Sequence, residues 1–119
     1  MPSAIETAFD TYVRAFTEPD PAARAQMIEA CWAVDGRLVS KSREIRGREA
    51  LAEFMAQFAP RVARIRRISA LDCGKTIFRI RGIADLRDGT SAESFDAGEI
   101  DADGRIKLIL TFAGPLVDA

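Results

Sequence analysis

Histidine is absent from this 119-residue sequence, and cysteine and tryptophan are scarce, at two and one. The first absence removes Ser-His-Asp and Cys-His catalysis, imidazole proton shuttles and the usual zinc sites. Cys31 and Cys73 lie far apart without metal-ligand spacing. They are expected as two buried thiols in a reducing cytosol. No apolar run approaches the roughly 18–20 residues of a membrane helix. The opening Met1-Pro2-Ser3-Ala4 has no basic segment followed by an apolar one. No secretion leader is therefore expected, and the expected location is cytoplasmic. An excess of one charge is missing too: 17 basic residues oppose 18 acidic ones. No global field draws the chain to nucleic acid or membrane, and neither is an expected partner.

What is present is a globular balance of 48% hydrophobic and 29% charged residues, sized for one domain over residues 1–119. Charge is unevenly placed. Arg61, Arg64, Arg66, Arg67, Lys75, Arg79 and Arg81 have only Asp72 as an acid among them, whereas every charged residue from Asp85 to Asp103 except Arg87 is acidic. An RNA surface would interleave stacking aromatics with such arginines, and only Phe78 is near. Basic and acidic strands facing one another across a sheet account for the pattern better, with Arg79 and Arg81 beside the strand of Glu93 and Glu99.

The first half has helical spacing. Ser3 and Glu6 form a capping box, and Ile5, Phe9, Tyr12, Val13 and Phe16 make one apolar face. Asp20-Pro21 starts a second helix with Ala25, Ile28, Cys31 and Trp32 inward, broken by Asp35-Gly36. Arg37-Leu38-Val39-Ser40 is a short strand candidate. Gly47 precedes a third helix carrying Leu51, Phe54, Met55 and Phe58, and Pro60 closes it.

The second half alternates with the period of strands. Phe78, Ile80, Gly82, Ala84 and Leu86 form one set, and Ile106, Leu108, Leu110 and Phe112 another. Asp88-Gly89 and Asp101-Ala102-Asp103-Gly104 are turn signals. Residues 61–71 fit a basic helix or a bent strand, and the bent strand is preferred. The expected architecture is α+β: three N-terminal helices packed on a curved antiparallel sheet, a cone-shaped, cystatin-like α+β barrel with a pocket inside.

The order of elements, with Phe9-Asp10-Thr11-Tyr12-Val13-Arg14-Ala15-Phe16, Cys31-Trp32-Ala33-Val34-Asp35-Gly36, Ile45-Arg46-Gly47-Arg48-Glu49-Ala50-Leu51 and the terminal Asp101–Ile106 hairpin, resembles the nuclear-transport-factor-2-like superfamily. That group includes ketosteroid isomerase, polyketide cyclases, limonene-epoxide hydrolase and scytalone dehydratase, and the likeness is strongest to its uncharacterised polyketide-cyclase-like branch. The resemblance implies a hydrophobic pocket and a homodimer paired through the sheet. It also implies site residues: the oxyanion-binding tyrosine and protonated aspartate of ketosteroid isomerase fall on Tyr12 and Asp96, and its general base falls on Ser40. A serine with no histidine or lysine partner cannot take that proton, so steroid isomerisation is not expected.

Tyr12 reads first as a core phenol and otherwise as a ligand-facing hydroxyl, and Asp96 first as one more acid facing the arginines and otherwise as a pocket carboxyl. Gly98 suits either room for a ligand or a bulge. Phe16, Trp32, Ser40, Phe54, Phe58 and Gly98 are the candidate pocket lining, although Trp32, Phe54 and Phe58 read most simply as core, and Glu44 is a candidate substitute base over the mouth. Ile77, Ile83 and Ile109, in the opposite phase, are expected on the outer face as a dimer surface. The resulting expectation is a pocket protein binding a small apolar ligand through one polar oxygen, with isomerase, cyclase or dehydratase chemistry open. The alternative is a non-catalytic binding or dimeric interaction module. No metal or cofactor is expected.

Overall fold

The computed structural model describes residues 3–116 and 118–119. Met1 and Pro2, part of the stretch read for a leader, lie outside them. Helix α1 (Ala4–Thr17) is capped by the Ser3 hydroxyl, which accepts from the Glu6 amide at 3.1 Å. Most of its apolar stripe is buried, namely Ile5, Phe9, Tyr12 and Phe16, and Val13 is half-buried. Helix α2 (Pro21–Cys31) begins at Asp20, whose carboxylate accepts from the Ala22 amide. Here the expected inner residue Ala25 is exposed, and Arg24 is buried instead. Its guanidinium donates to the carbonyls of Ala15 and Glu18, satisfying the frayed end of α1 and tying the two helices together.

Helix α2 stops one residue earlier than its apolar pattern suggests. Trp32 already belongs to strand β1 (Trp32–Val39), and Asp35-Gly36 lies inside that strand rather than breaking a helix. Strand β2 (Glu44–Arg46) folds back on β1, and helix α3 (Arg48–Phe58) follows. The three helices are thus not consecutive. A short 3-10 turn, Ala59–Arg61, leads into β3 (Val62–Arg67), and β4 (Asp72–Gly74) follows a bend. Residues 62–71 are therefore a bent extended segment, Arg61 closing the 3-10 turn before it. Long strands β5 (Ile77–Leu86), β6 (Ser91–Ile100) and β7 (Ile106–Ala113) complete the fold.

The expected antiparallel, cone-shaped barrel is corrected on two points. The sheet runs β2-β1-β7-β6-β5-β3, with β4 also on β5, so it is open, its end strands β2 and β3 unpaired with each other. It is also mixed, because β1 pairs with β7 in parallel. The hydrophobic pattern of β7 reads identically for either neighbour direction, so sequence alone cannot reveal that pairing.

A bulge corrects the phase of β7. Ile100 pairs with Ile106, but Glu99 pairs with Leu108, so Lys107 is an extra residue and every later side chain changes face. Ile109 is consequently buried in the core, while Leu110 and Phe112 are exposed. The expected place of Ile109 on the outer face is wrong for this reason. Charge follows the strands as expected in part. Arg81 donates to Glu93 on β6 at 3.1 Å, whereas Arg79 turns to Asp72 on β4 at 2.8 Å. Asp85 accepts from both Arg64 and Arg66, and these bonds hold its carboxyl well below the usual range.

Candidate functional site

A cavity of about 740 Å³ lies between the inner sheet face and helices α1 and α3. Its wall is mostly apolar because each element turns its alternating or helical hydrophobic face here. From the helices come Tyr12, Phe16, Phe54 and Phe58, an aromatic chain in which the Phe16 ring meets Phe58 edge-on at 5.5 Å. From the strands come Leu38, Ile65, Ile80 and Ala84. Three polar side chains interrupt this surface on the inner face of the sheet: Ser94 and Asp96 on β6 and Thr111 on β7, the last two direct partners across the strands.

Asp96 is the unusual member. Its Oδ1 is buried with no hydrogen-bond partner. Burial raises the carboxyl above its ordinary value, and the Thr111 hydroxyl partly draws it back. Among the described residues no cation forms an ion pair with it. A buried carboxyl without a cation favours its neutral form, which is a hydrogen-bond donor. Tyr12 lines the same cavity from the opposite wall, and burial followed by the Asp96 charge pushes its phenol well above the usual value. It too remains a donor. Its ring stacks on Trp32 at 5.6 Å and 14°.

Of the other expected lining residues, Phe16, Phe54 and Phe58 are present, and Trp32, Ser40 and Gly98 are not. Trp32 is fully buried behind Tyr12, which screens it from the cavity. Ser40 sits in the turn after β1, where its hydroxyl accepts from the amides of Ser42 and Arg43. The space over Gly98 is filled by the Phe78 ring. Glu44 is not over the mouth as a base, because Arg37 binds it at 2.9 Å and lowers its carboxyl. One of the two thiols expected to be buried is not. Cys31 is buried and its thiol is pushed up to about 12, while Cys73 is exposed.

Sequence reasoning missed Thr111 and the charged border. Thr111 was hidden by the bulge, although a threonine within Ile106–Ala113 is the one hydroxyl in an apolar strand. The border carries Asp10, Arg14, Arg66, Arg67 and Glu93. Arg67 bonds Asp10 and lies 5.7 Å from the Phe9 ring, linking β3 to α1. Among the described residues no group of His, Cys, Asp or Glu is placed to hold a metal, and no helix is long and apolar enough to cross a membrane.

No family model and no curated protein matches the sequence. Solved structures do. A candidate isomerase of the SnoaL-like family from Agrobacterium tumefaciens superposes with a TM-score of 0.82 at 21% identity, over 94% of this chain and 98% of that one. A nuclear-transport-factor-2-like protein from Burkholderia xenovorans gives 0.75 at 14% identity, over 98% and 87%. The chain has the nuclear-transport-factor-2-like fold. A third structure of this fold is SalBIII, an epoxide hydrolase/cyclase-like enzyme in pyran-ring formation in salinomycin, with a TM-score of 0.69 at 17% identity over 90% and 88%. The nuclear-transport-factor-2-like fold therefore carries small-molecule chemistry in SalBIII, and at these identities the likeness extends to the fold alone.

Proposed function

We propose that this chain binds a small, largely apolar molecule through one carbonyl or hydroxyl oxygen, held by Asp96 and Tyr12. The observation that carries the reading is the unpartnered Asp96 Oδ1 in an apolar cavity. A native fold seldom leaves a buried polar atom unsatisfied unless something else completes it. A neutral acid and a phenol both donate, so together they suit an oxygen that gains negative charge. The β1 residue that faces the cavity is Leu38, which cannot accept a proton. The arrangement thus supports oxygen binding and polarisation, and β1 supplies no base for steroid isomerisation at Leu38.

Calorimetric titration with butyrophenone and with butylbenzene, the same shape without the oxygen, tests this. The ketone should bind about tenfold more tightly, the worth of one or two buried hydrogen bonds. Asp96→Leu should abolish that preference and, without ligand, stabilise the fold by about 1 kcal/mol by removing an unsatisfied buried oxygen. Equal affinity for the two probes in the natural chain would overturn the reading. The same pair of proteins checks the pH dependence. With the folded carboxyl raised above its unfolded value, the folded state holds more protons between the two. The contribution of Asp96 is fully present below the unfolded value and is lost as pH rises through the folded one. Urea midpoints of the natural chain should therefore fall relative to Asp96→Leu as pH rises above about 4.

The outer sheet face supports a second copy as partner. Ile77, Leu110 and Phe112 are 61%, 40% and 52% exposed there. The Arg81–Glu93 and Lys107–Glu99 pairs on the same strands supply both signs of charge. A two-fold axis sets such a face against itself, so mixed charge is self-complementary. Light scattering should return twice the 13.0 kDa chain mass. Phe112→Glu should halve it, and a monomeric natural chain would refute the pairing.

A further inference from the structure

The geometry points to a ligand with two ends: an oxygen at Asp96 and Tyr12, and a carboxylate at the cavity border bound by Arg14. This inference deepens the proposed oxygen-binding site and rests on it.

The cavity interior excludes an anion. Its wall is aromatic and aliphatic, and the polar groups reaching in from the sheet are Asp96 and the hydroxyls of Ser94 and Thr111, none of them a cation. A carboxylate placed there would lose its hydration and meet no cation, at a cost its binding could not offset. The border is the opposite. Arginines at positions 14, 66 and 67 line it, against Asp10 and Glu93.

Most of these charges are already committed. Arg66 is held by Asp85 at 2.9 Å, Arg67 by Asp10, and Glu93 by Arg81. Arg14 differs. Among the described residues its guanidinium meets no carboxylate, and its one side-chain bond is a long 3.4 Å contact to the Thr11 hydroxyl, one turn back on α1. It sits two residues beyond Tyr12 on that helix and lines the same cavity. Among the described residues the border therefore holds one arginine without a carboxylate partner, beside a pocket whose interior offers an anion no counter-charge. An apolar body with an oxygen at one end and a carboxylate at the other satisfies both. Guanidinium and carboxylate match in shape as well as charge, because the planar fork can donate two parallel bonds.

The test uses γ-benzoylbutyrate, its methyl ester and butyrophenone, which share the ketone and differ in the tail. Calorimetry on the natural chain should rank the acid about fivefold above the ester, the range of a partly solvated charge-assisted pair. Raising the salt from 0.05 to about 0.5 M should shrink that ratio, as screening requires. In Arg14→Gln the acid-to-ester ratio should fall to about one, with an unchanged circular dichroism spectrum and thermal midpoint showing that the fold is intact. An ester that binds as well as the acid in the natural chain overturns the inference while leaving the ketone site standing. A preference that survives in Arg14→Gln overturns the assignment to Arg14. Failure of all three compounds to bind overturns the oxygen site and this inference with it.

Discussion

Replacing Trp32 by alanine should cost about 3–5 kcal/mol, the range for deleting a large buried aromatic side chain. The indole is fully buried at the junction where α2 becomes β1. Its backbone holds that junction from both sides. The amide donates to the Ile28 carbonyl, and the carbonyl accepts from Arg48 of α3 at 2.9 Å. Its ring is the surface on which Tyr12 stacks, so the cavity left by alanine would open directly behind the phenol. Urea unfolding should register the loss. Butyrophenone affinity should fall as well, because Tyr12 would no longer be held against one plane.

Trp32→Phe separates the two contributions of this side chain. The indole Nε1 is buried with no partner, an unfavourable feature that phenylalanine removes while keeping an aromatic surface for Tyr12. Its cost should therefore be roughly half that of alanine or less. Gly36 gives an internal check. A Cβ there would lie 2.5 Å from the indole Nε1 and 2.7 Å from the adjacent ring carbon. Gly36→Ala should destabilise the natural chain and be tolerated beside Trp32→Phe, where the smaller ring leaves space. If the two substitutions simply add, the indole is not what requires glycine at 36.

The elements were legible where one local force decided them. The stripe from Ile5 to Phe16, the Ser3 cap, and the Leu51, Phe54, Met55, Phe58 spacing each state a helix without reference to the rest of the chain. The β5 alternation was equally plain, since Phe78 and Ile80 are inward. What was lost depended on distant partners. The parallel pairing of β1 with β7 joins segments some 70 residues apart, and nothing local to Arg37 or Leu38 specifies it. The Lys107 bulge exchanges the faces of Ile109 and Leu110, although the unbroken alternation around them gives no sign of it. Arg24 was missed because a charged side chain between two alanines reads as solvent-facing, whereas here it satisfies carbonyls of another helix.

The candidate site divides in the same way. The resemblance named Tyr12 and Asp96, and the structure puts both on the wall of one cavity. Ser40 was reached by counting along the chain, and counting fails where β1 is irregular: its pairing with β7 slips between Trp32 and Arg37. Leu38, two residues earlier, faces the cavity, while Ser40 lies past the end of β1 in the turn. Trp32 was expected as lining because it is aromatic and inward, but the inward space is layered, and Tyr12 occupies the layer next to the cavity. Arg14 could be found only after the ion pairs were known, since what distinguishes it from the other border arginines is its lack of a carboxylate.

Gly98 carries the second large effect. It pairs with Phe78 on one side and Ile109 on the other, near the C-terminal end of β6. A Cβ at 98 would approach the Phe78 ring to 2.7 Å and the Leu108 carbonyl oxygen more closely still. Neither neighbour can give way easily. The ring is 3% exposed and packs against Phe9 at 5.5 Å, and the carbonyl belongs to the strand beside the Lys107 bulge. Gly98→Ala should therefore cost about 1–3 kcal/mol through forced displacement, a fall of roughly 5–15 °C in the thermal midpoint. Combining it with Phe78→Leu distinguishes the two obstacles. The smaller side chain relieves the clash with the ring and leaves the one with the carbonyl, so the double variant should be more stable than the sum of the single losses implies, yet still below Phe78→Leu alone. Strict additivity in that cycle would mean the Phe78 ring does not require the glycine. A Gly98→Ala protein as stable as the natural chain would show that β6 and β7 can separate there without loss.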